Sequence, residues 1–121
     1  MIRIGRGIGR KAVKEAVERG DATTVVYDDV LEVADIREAL AGVRDAGLPR
    51  AAIAILIWLA SHPNSPEDVL RELHGYGTRE ILVSLALNRN LPEDLRRKLL
   101  DHEDPDVSEH ANHTFSRMKQ H

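Results

Sequence analysis

The chain of 121 residues contains no cysteine. That excludes disulfides, thiolate metal sites, cysteine nucleophiles and cysteine-held iron–sulfur clusters, and makes a reducing cytoplasm the expected location. Aromatic residues are nearly as scarce: Trp58, Tyr27, Tyr76 and Phe115 make up 3%. A core must then be built from Ala, Leu, Ile and Val, which with so few aromatics leans toward packed helices. Long apolar runs are missing as well. The longest, AAIAILIWLA at 51–60, has ten residues. A membrane span needs about 20, so this stretch reads as a buried core helix and no membrane partner is expected. The opening MIRIGRGIGRKAV is basic without an apolar stretch behind it, and does not read as a signal peptide.

Charged residues amount to 31% and hydrophobic ones to 42%, ordinary for a globular domain. The net charge of −3 hides an asymmetry. Residues 1–20 hold six basic side chains (Arg3, Arg6, Arg10, Lys11, Lys14, Arg19) against Glu15 and Glu18, and the remainder is acidic. A basic arm of this kind reaches nucleic acid or folds back on its own acidic body. Arginine outnumbers lysine thirteen to four, in keeping with a GC-rich microbial genome.

LASHPNSPEDVL at 59–70 returns as LALNRNLPEDL at 85–95. With an offset of 26, Leu59 falls on Leu85, Asn64 on Asn90, Pro66 on Pro92, Glu67 on Glu93, Asp68 on Asp94, Arg71 on Arg97 and Leu73 on Leu99. A fixed period in the range of roughly 20–50 residues marks a repeat architecture. Asn64 and Asn90 tolerate the left-handed conformation that closes a helix, and the proline two residues later starts the next. Ser65 with Asp68 resembles a capping box, whereas Leu91 replaces the cap in the second copy and predicts a weaker start. The spacing predicts helices over 66–74, 78–88, 92–101 and 105–117, with Thr78 and Asp104-Pro105 opening the second helix of each pair. Leu59, Leu73, Leu82, Leu85, Leu95 and Leu99 should be buried between them.

This pattern, L-A-x-x-x-N-x-P-E-x-[VL] with a later D-P-x-V, resembles the leucine-rich repeat variant family over residues 48–115. The resemblance implies a bacterial array of short helix pairs, comparable to HEAT and armadillo repeats, wound into a short right-handed α-solenoid. Family units end in N-P-x-[ST]-P; here His62-Pro63-Asn64-Ser65-Pro66 and Asn88-Arg89-Asn90-Leu91-Pro92 stand in that place. It implies architecture rather than a reaction, and no cofactor.

The flanks read as degenerate copies. A helix is expected near 29–46, a Gly-Leu-Pro break, then a longer helix near 49–61. GRKAVKEAVERG gives a short amphipathic helix with Ala12, Val13, Ala16 and Val17 on one side. TTVVY at 23–27 is β-branched, but with no other strand to pair with it reads as an extended connection. The organisation expected is an all-α chain with a basic N-terminal arm and helix at 1–20 and a helical-repeat domain at 21–121. Its units run 33–58, 59–84 and 85–110, and a polar cap at 111–121 closes the stack.

The stripe Ile55/Leu56/Leu59/Ala60 superposes on Ile81/Leu82/Leu85/Ala86 and reads as core. Opposite it, Trp58 aligns with Ser84 and His110, Ile57 with Val83 and Glu109, Ala54 with Glu80 and Asp106, Ser61 with Leu87 and His113. The ribbon Trp58, Glu80, Val83, Ser84, Leu87, Glu109, His110 and His113 is the expected partner-binding surface, for another protein or a second copy. Exposed apolar residues of this kind mark interfaces, unless the N-terminal segment covers them. The alternative partner is nucleic acid, met by Arg3, Arg6, Arg10 and Lys11. Asp106, His110 and His113 share a helical face, but such triads arise by chance in histidine-rich tails and no metal is assigned. Gly5-x-Gly7-x-Gly9 lacks the spacing of a phosphate loop. Paired acids such as Asp28-Asp29, Glu67-Asp68 and Glu93-Asp94 read as helix-start charges. No nucleophile constellation is present, so a non-catalytic module is expected.

Overall fold

The computed structural model describes residues 9–20 and 32–116 in full, and the backbone of 2–4 and 25–27. The order of elements is β1 (Ile2–Ile4), α1 (Arg10–Glu18), β2 (Val25–Tyr27), α2 (Val33–Ala46), α3 (Ile53–Ser61), α4 (Glu67–Gly75), α5 (Arg79–Ala86), α6 (Glu93–Leu100) and α7 (Pro105–Ser116). The architecture is helical, as the composition and the period imply. No helix among the described residues is long and apolar enough to cross a membrane. The chain divides into two compact units, Met1–Leu59 and Ala60–His121, so the boundary expected after residue 20 falls inside the first.

In the first unit one expectation is corrected. The segment Val25–Tyr27 is a strand, paired in parallel with β1 in the register Ile2↔Val25, Arg3↔Val26, Ile4↔Tyr27. Its partner went unseen because three residues are too few for an alternating pattern. Parallel strands need a crossover, and α1 supplies it. Val13, Ala16 and Val17 of α1 are buried, as the amphipathic pattern requires, while Ala12 is half-buried. α1 packs on α2. The approach is close because Gly42 has no Cβ: one placed there would lie 2.5 Å from the Arg10 carbonyl oxygen and 2.7 Å from Val13 Cβ. The seam is closed at its end by Arg10, whose guanidinium donates to both carboxylate oxygens of Asp45. α2 starts later than expected, at Val33, behind a capping box between Glu32 and Asp35, and stops at Gly47 with φ 65°. α3 is apolar almost all round, with Ile55, Leu56, Leu59 and Ala60 fully buried.

The second unit shows why the phrase is written twice. Four backbone hydrogen bonds recur 26 residues apart. Ser65 N–H to His62 O and Leu91 N–H to Asn88 O both measure 3.2 Å. Tyr76 N–H to Leu73 O is matched by His102 to Leu99, Leu70 N–H to Pro66 O by Arg96 to Pro92, and Leu82 N–H to Thr78 O by Ser108 to Asp104. Pro66 and Pro92 are the N-caps of α4 and α6. Position 65/91 faces inward in both copies: Ser65 and Leu91 are each buried, and neither Pro66 nor Pro92 makes a side-chain cap hydrogen bond, so the Ser65 capping box expected for α4 is replaced by a proline cap. The six predicted leucines are buried, as are Ile81 and Ala86.

Asn64 and Asn90 do not take the left-handed conformation expected of them; among the described residues only glycines have positive φ. The turn is made by the residue two places earlier. His62 Nδ1 accepts the Asn64 N–H at 3.0 Å, and Asn88 Oδ1 accepts the Asn90 N–H at 2.9 Å. A side-chain acceptor for the amide two residues on shapes the turn without a left-handed residue. Asn88 also donates through Nδ2 to Ala60 O at 3.0 Å and His62 O at 3.2 Å, satisfying carbonyls that a helix end leaves open. Asn90 Nδ2 donates to Pro63 O at 2.7 Å. Arg71 joins α4 to α6, donating to Asp94 at 2.8 and 3.0 Å and to Glu67 at 2.7 Å.

Toward α7 the copies diverge. Leu70, Leu82 and Ala86 are buried, but their equivalents are Arg96, Ser108 and Asn112, and Asn112 is exposed. The Arg96 guanidinium instead lies 6.0 Å from the Phe115 ring centroid. The residues expected to form a polar cap are described as far as Ser116.

Candidate protein-binding face

α5 is positioned by its own sequence. Thr78 is its N-cap, and Ile81, Leu82, Leu85 and Ala86 turn into the core. Its other side carries Arg79, Glu80, Val83 and Leu87. α7 packs beside α5 and starts at Asp104, whose Oδ1 accepts the Asp106 N–H at 3.0 Å, with Pro105 at the first helical position. Arg79 fixes the two helix starts together by pairing with Asp104 at 3.1 Å and with Asp106.

The expected ribbon is placed unevenly. Leu87 is 52% exposed, the most exposed large apolar side chain among the described residues. Glu80, Glu109, His110 and His113 are exposed, and Val83 and Trp58 are half-buried. Ser84 is only 7% exposed, and its hydroxyl donates to its own helix at Glu80 O, 2.9 Å away. It lies beneath the face and does not line it, because the α5 edge at that position is packed. Trp58 belongs to the first unit and the other seven to the second. The face therefore stands on Glu80, Val83 and Leu87 of α5 and on Glu109, His110 and His113 of α7. The last three line a shallow depression of about 260 Å³. His110 Nδ1 lies 2.5 Å from Asp106 O.

Among the described residues, no three His, Cys, Asp or Glu side chains are grouped to hold a metal ion. Of the basic residues named for nucleic acid, Arg6 lies outside the described residues and Arg3 is described only as backbone. Lys11 is exposed. Arg10 is engaged with Asp45, whose carboxyl is held below its usual range by the hydrogen bond from that guanidinium. Residues 5–8 and 28–31, with Gly5 and Gly7 of the glycine run and the Asp28-Asp29 pair, also lie outside the described residues.

Sequence reasoning missed Asn88 and Arg79. A signal existed for both: Asn88 is an asparagine on the core side of a turn, and Arg79 lies 25 residues before an Asp-Pro helix start. Compared with known protein families, with curated proteins and with solved structures, the chain matches none.

Proposed function

We propose that the chain is a non-catalytic protein-binding module, an adaptor or inhibitor-like domain of the leucine-rich repeat variant type. In this reading its helix pairs form a short right-handed solenoid in the bacterial cytoplasm, and the partner is met by the α5–α7 face. The observation that carries the reading is Leu87. Leu87 is an aliphatic side chain 52% exposed, at the C-cap of a helix whose other side is buried and one turn from half-exposed Val83. Contiguous apolar surface left exposed beside such a core marks an interaction site. The basic N-terminal residues lend less support to nucleic acid, since Arg10 already has a bidentate carboxylate partner.

The test is a pull-down from the native cytoplasm with the full chain and with Val83→Asp combined with Leu87→Asp. The double variant should fold and lose its partner. If it folds and retains the partner, the face is not the interface.

A further inference from the structure

We propose that the α5–α7 face receives a basic amphipathic helix, an inference that rests on the protein-binding reading above. The charges around Val83 and Leu87 decide the partner's chemistry. Most helix-start carboxylates of the second unit are matched: Glu67 and Asp94 by Arg71, Glu93 by Arg97, Asp104 and Asp106 by Arg79. Glu80 and Glu109 differ. Each is exposed, Glu80 one turn before Val83 on α5 and Glu109 on the adjoining α7, and neither has an ion pair or hydrogen bond to another side chain among the described residues.

His110 adds an acceptor. The Asp106 carbonyl oxygen beside its Nδ1 can only accept, so Nδ1 carries the hydrogen, and in the neutral ring Nε2 is the acceptor. Arg79 does not oppose this, because two carboxylates already hold its charge. Arg89, also exposed, lies beyond the end of α5. The face is thus the apolar pair Val83 and Leu87, with Glu80 before it on α5 and Glu109 and His110 on the adjoining α7. It matches a helix with aliphatic residues at i and i+4 and Lys or Arg flanking them. Acidic helices are rejected by like-charge contact. A second copy is disfavoured for the same reason, since a two-fold contact sets the same patch, with Glu80 and Glu109, on both sides.

The experiment selects helical peptides from a displayed random library on the full chain, with counter-selection on the Leu87→Asp variant. Affinities of the enriched peptides are then measured at low and high salt, and against Glu80→Lys combined with Glu109→Lys. Enriched peptides should carry Lys or Arg beside aliphatic residues spaced i, i+4. Their affinity should fall with salt, and by about tenfold or more on charge reversal. Peptides that need Leu87 but are neutral or acidic, or that bind the charge-reversed variant equally well, overturn the basic-helix inference and leave the protein-binding reading standing. Failure to enrich any Leu87-dependent peptide sinks both. Self-association in sedimentation that disappears in Leu87→Asp assigns the face to a second copy and overturns the inference.

Discussion

Asn88 makes three hydrogen bonds from one buried side chain. It is 3% exposed and uses both amide hydrogens and its oxygen, on Ala60 O, His62 O and the Asn90 N–H. Asn88→Ala removes all three hydrogen bonds, leaving His62 O with only the Ser65 N–H, and should cost about 1–3 kcal/mol, read by chemical denaturation. Asn88→Asp keeps the acceptor for Asn90 but sets a carboxylate against two carbonyls, so it should destabilise at least as much as Ala. An Asp variant as stable as its parent would show that the amide's donors do not matter. Gly42 is the corresponding point in the first unit. Alanine favours a helix interior over glycine by about 1 kcal/mol. The Cβ would nevertheless meet the Arg10 backbone, and overpacking of this kind costs about 1–3 kcal/mol. Gly42→Ala should therefore lower stability, and a rise in melting temperature would contradict the close approach of α1. The partners of neither residue were legible in the sequence, because each acts on atoms far along the chain: Asn88 on Ala60, Gly42 on Arg10.

At the scale of the element, the 26-residue period made the helices legible. Position 85 is apolar in every copy because it sits on the buried stripe, and four helix starts coincide with a proline or a threonine cap. Electrostatics between helices was not legible, since it depends on which helix lies beside which. His74 in the last turn of α4 is an example. Burial, then the charges of Lys98 on α6 and of His102, hold its imidazole below the usual 6.5. The unfolded chain therefore takes up this proton first. Stability from the neutral imidazole is complete above pH 6.5 and declines as pH falls through 6.5 toward the depressed folded value. Asp94 and Asp45, both held below 3.8 by arginine hydrogen bonds, contribute stability that is present above 3.8 and lost at more acidic pH. Melting temperature should fall on acidification from pH 7 to pH 5, and His74→Gln should flatten that part of the curve. An unchanged slope in the variant would remove His74 as its source.

For the whole molecule, the helical class was readable from composition, while the division at Leu59/Ala60 and the β1–β2 pair were not. Strands of three residues leave no periodic trace, and a boundary inside an apolar helix leaves no change in composition. Deleting residues 1–7 removes β1, yet α1 keeps Gly42 and Asp45 as its hold on α2. The deletion should preserve the far-ultraviolet helical signal, and a large loss of that signal would show that β1 organises the first unit. The exposure of the candidate face was legible in part: of the columns opposite the core stripe, Leu87, Glu80 and the α7 residues are exposed, whereas Ser84 is buried where α5 is packed. The most direct test of a face left over from packing compares two leucines two residues apart. Leu85 is fully buried and Leu87 is 52% exposed. Leu85→Ala should cost about 2–5 kcal/mol through lost burial and a cavity. Leu87→Asp should leave thermal unfolding unchanged and abolish binding of the partner. A Leu87→Asp variant that binds as its parent does, or that unfolds as readily as Leu85→Ala, would contradict the account.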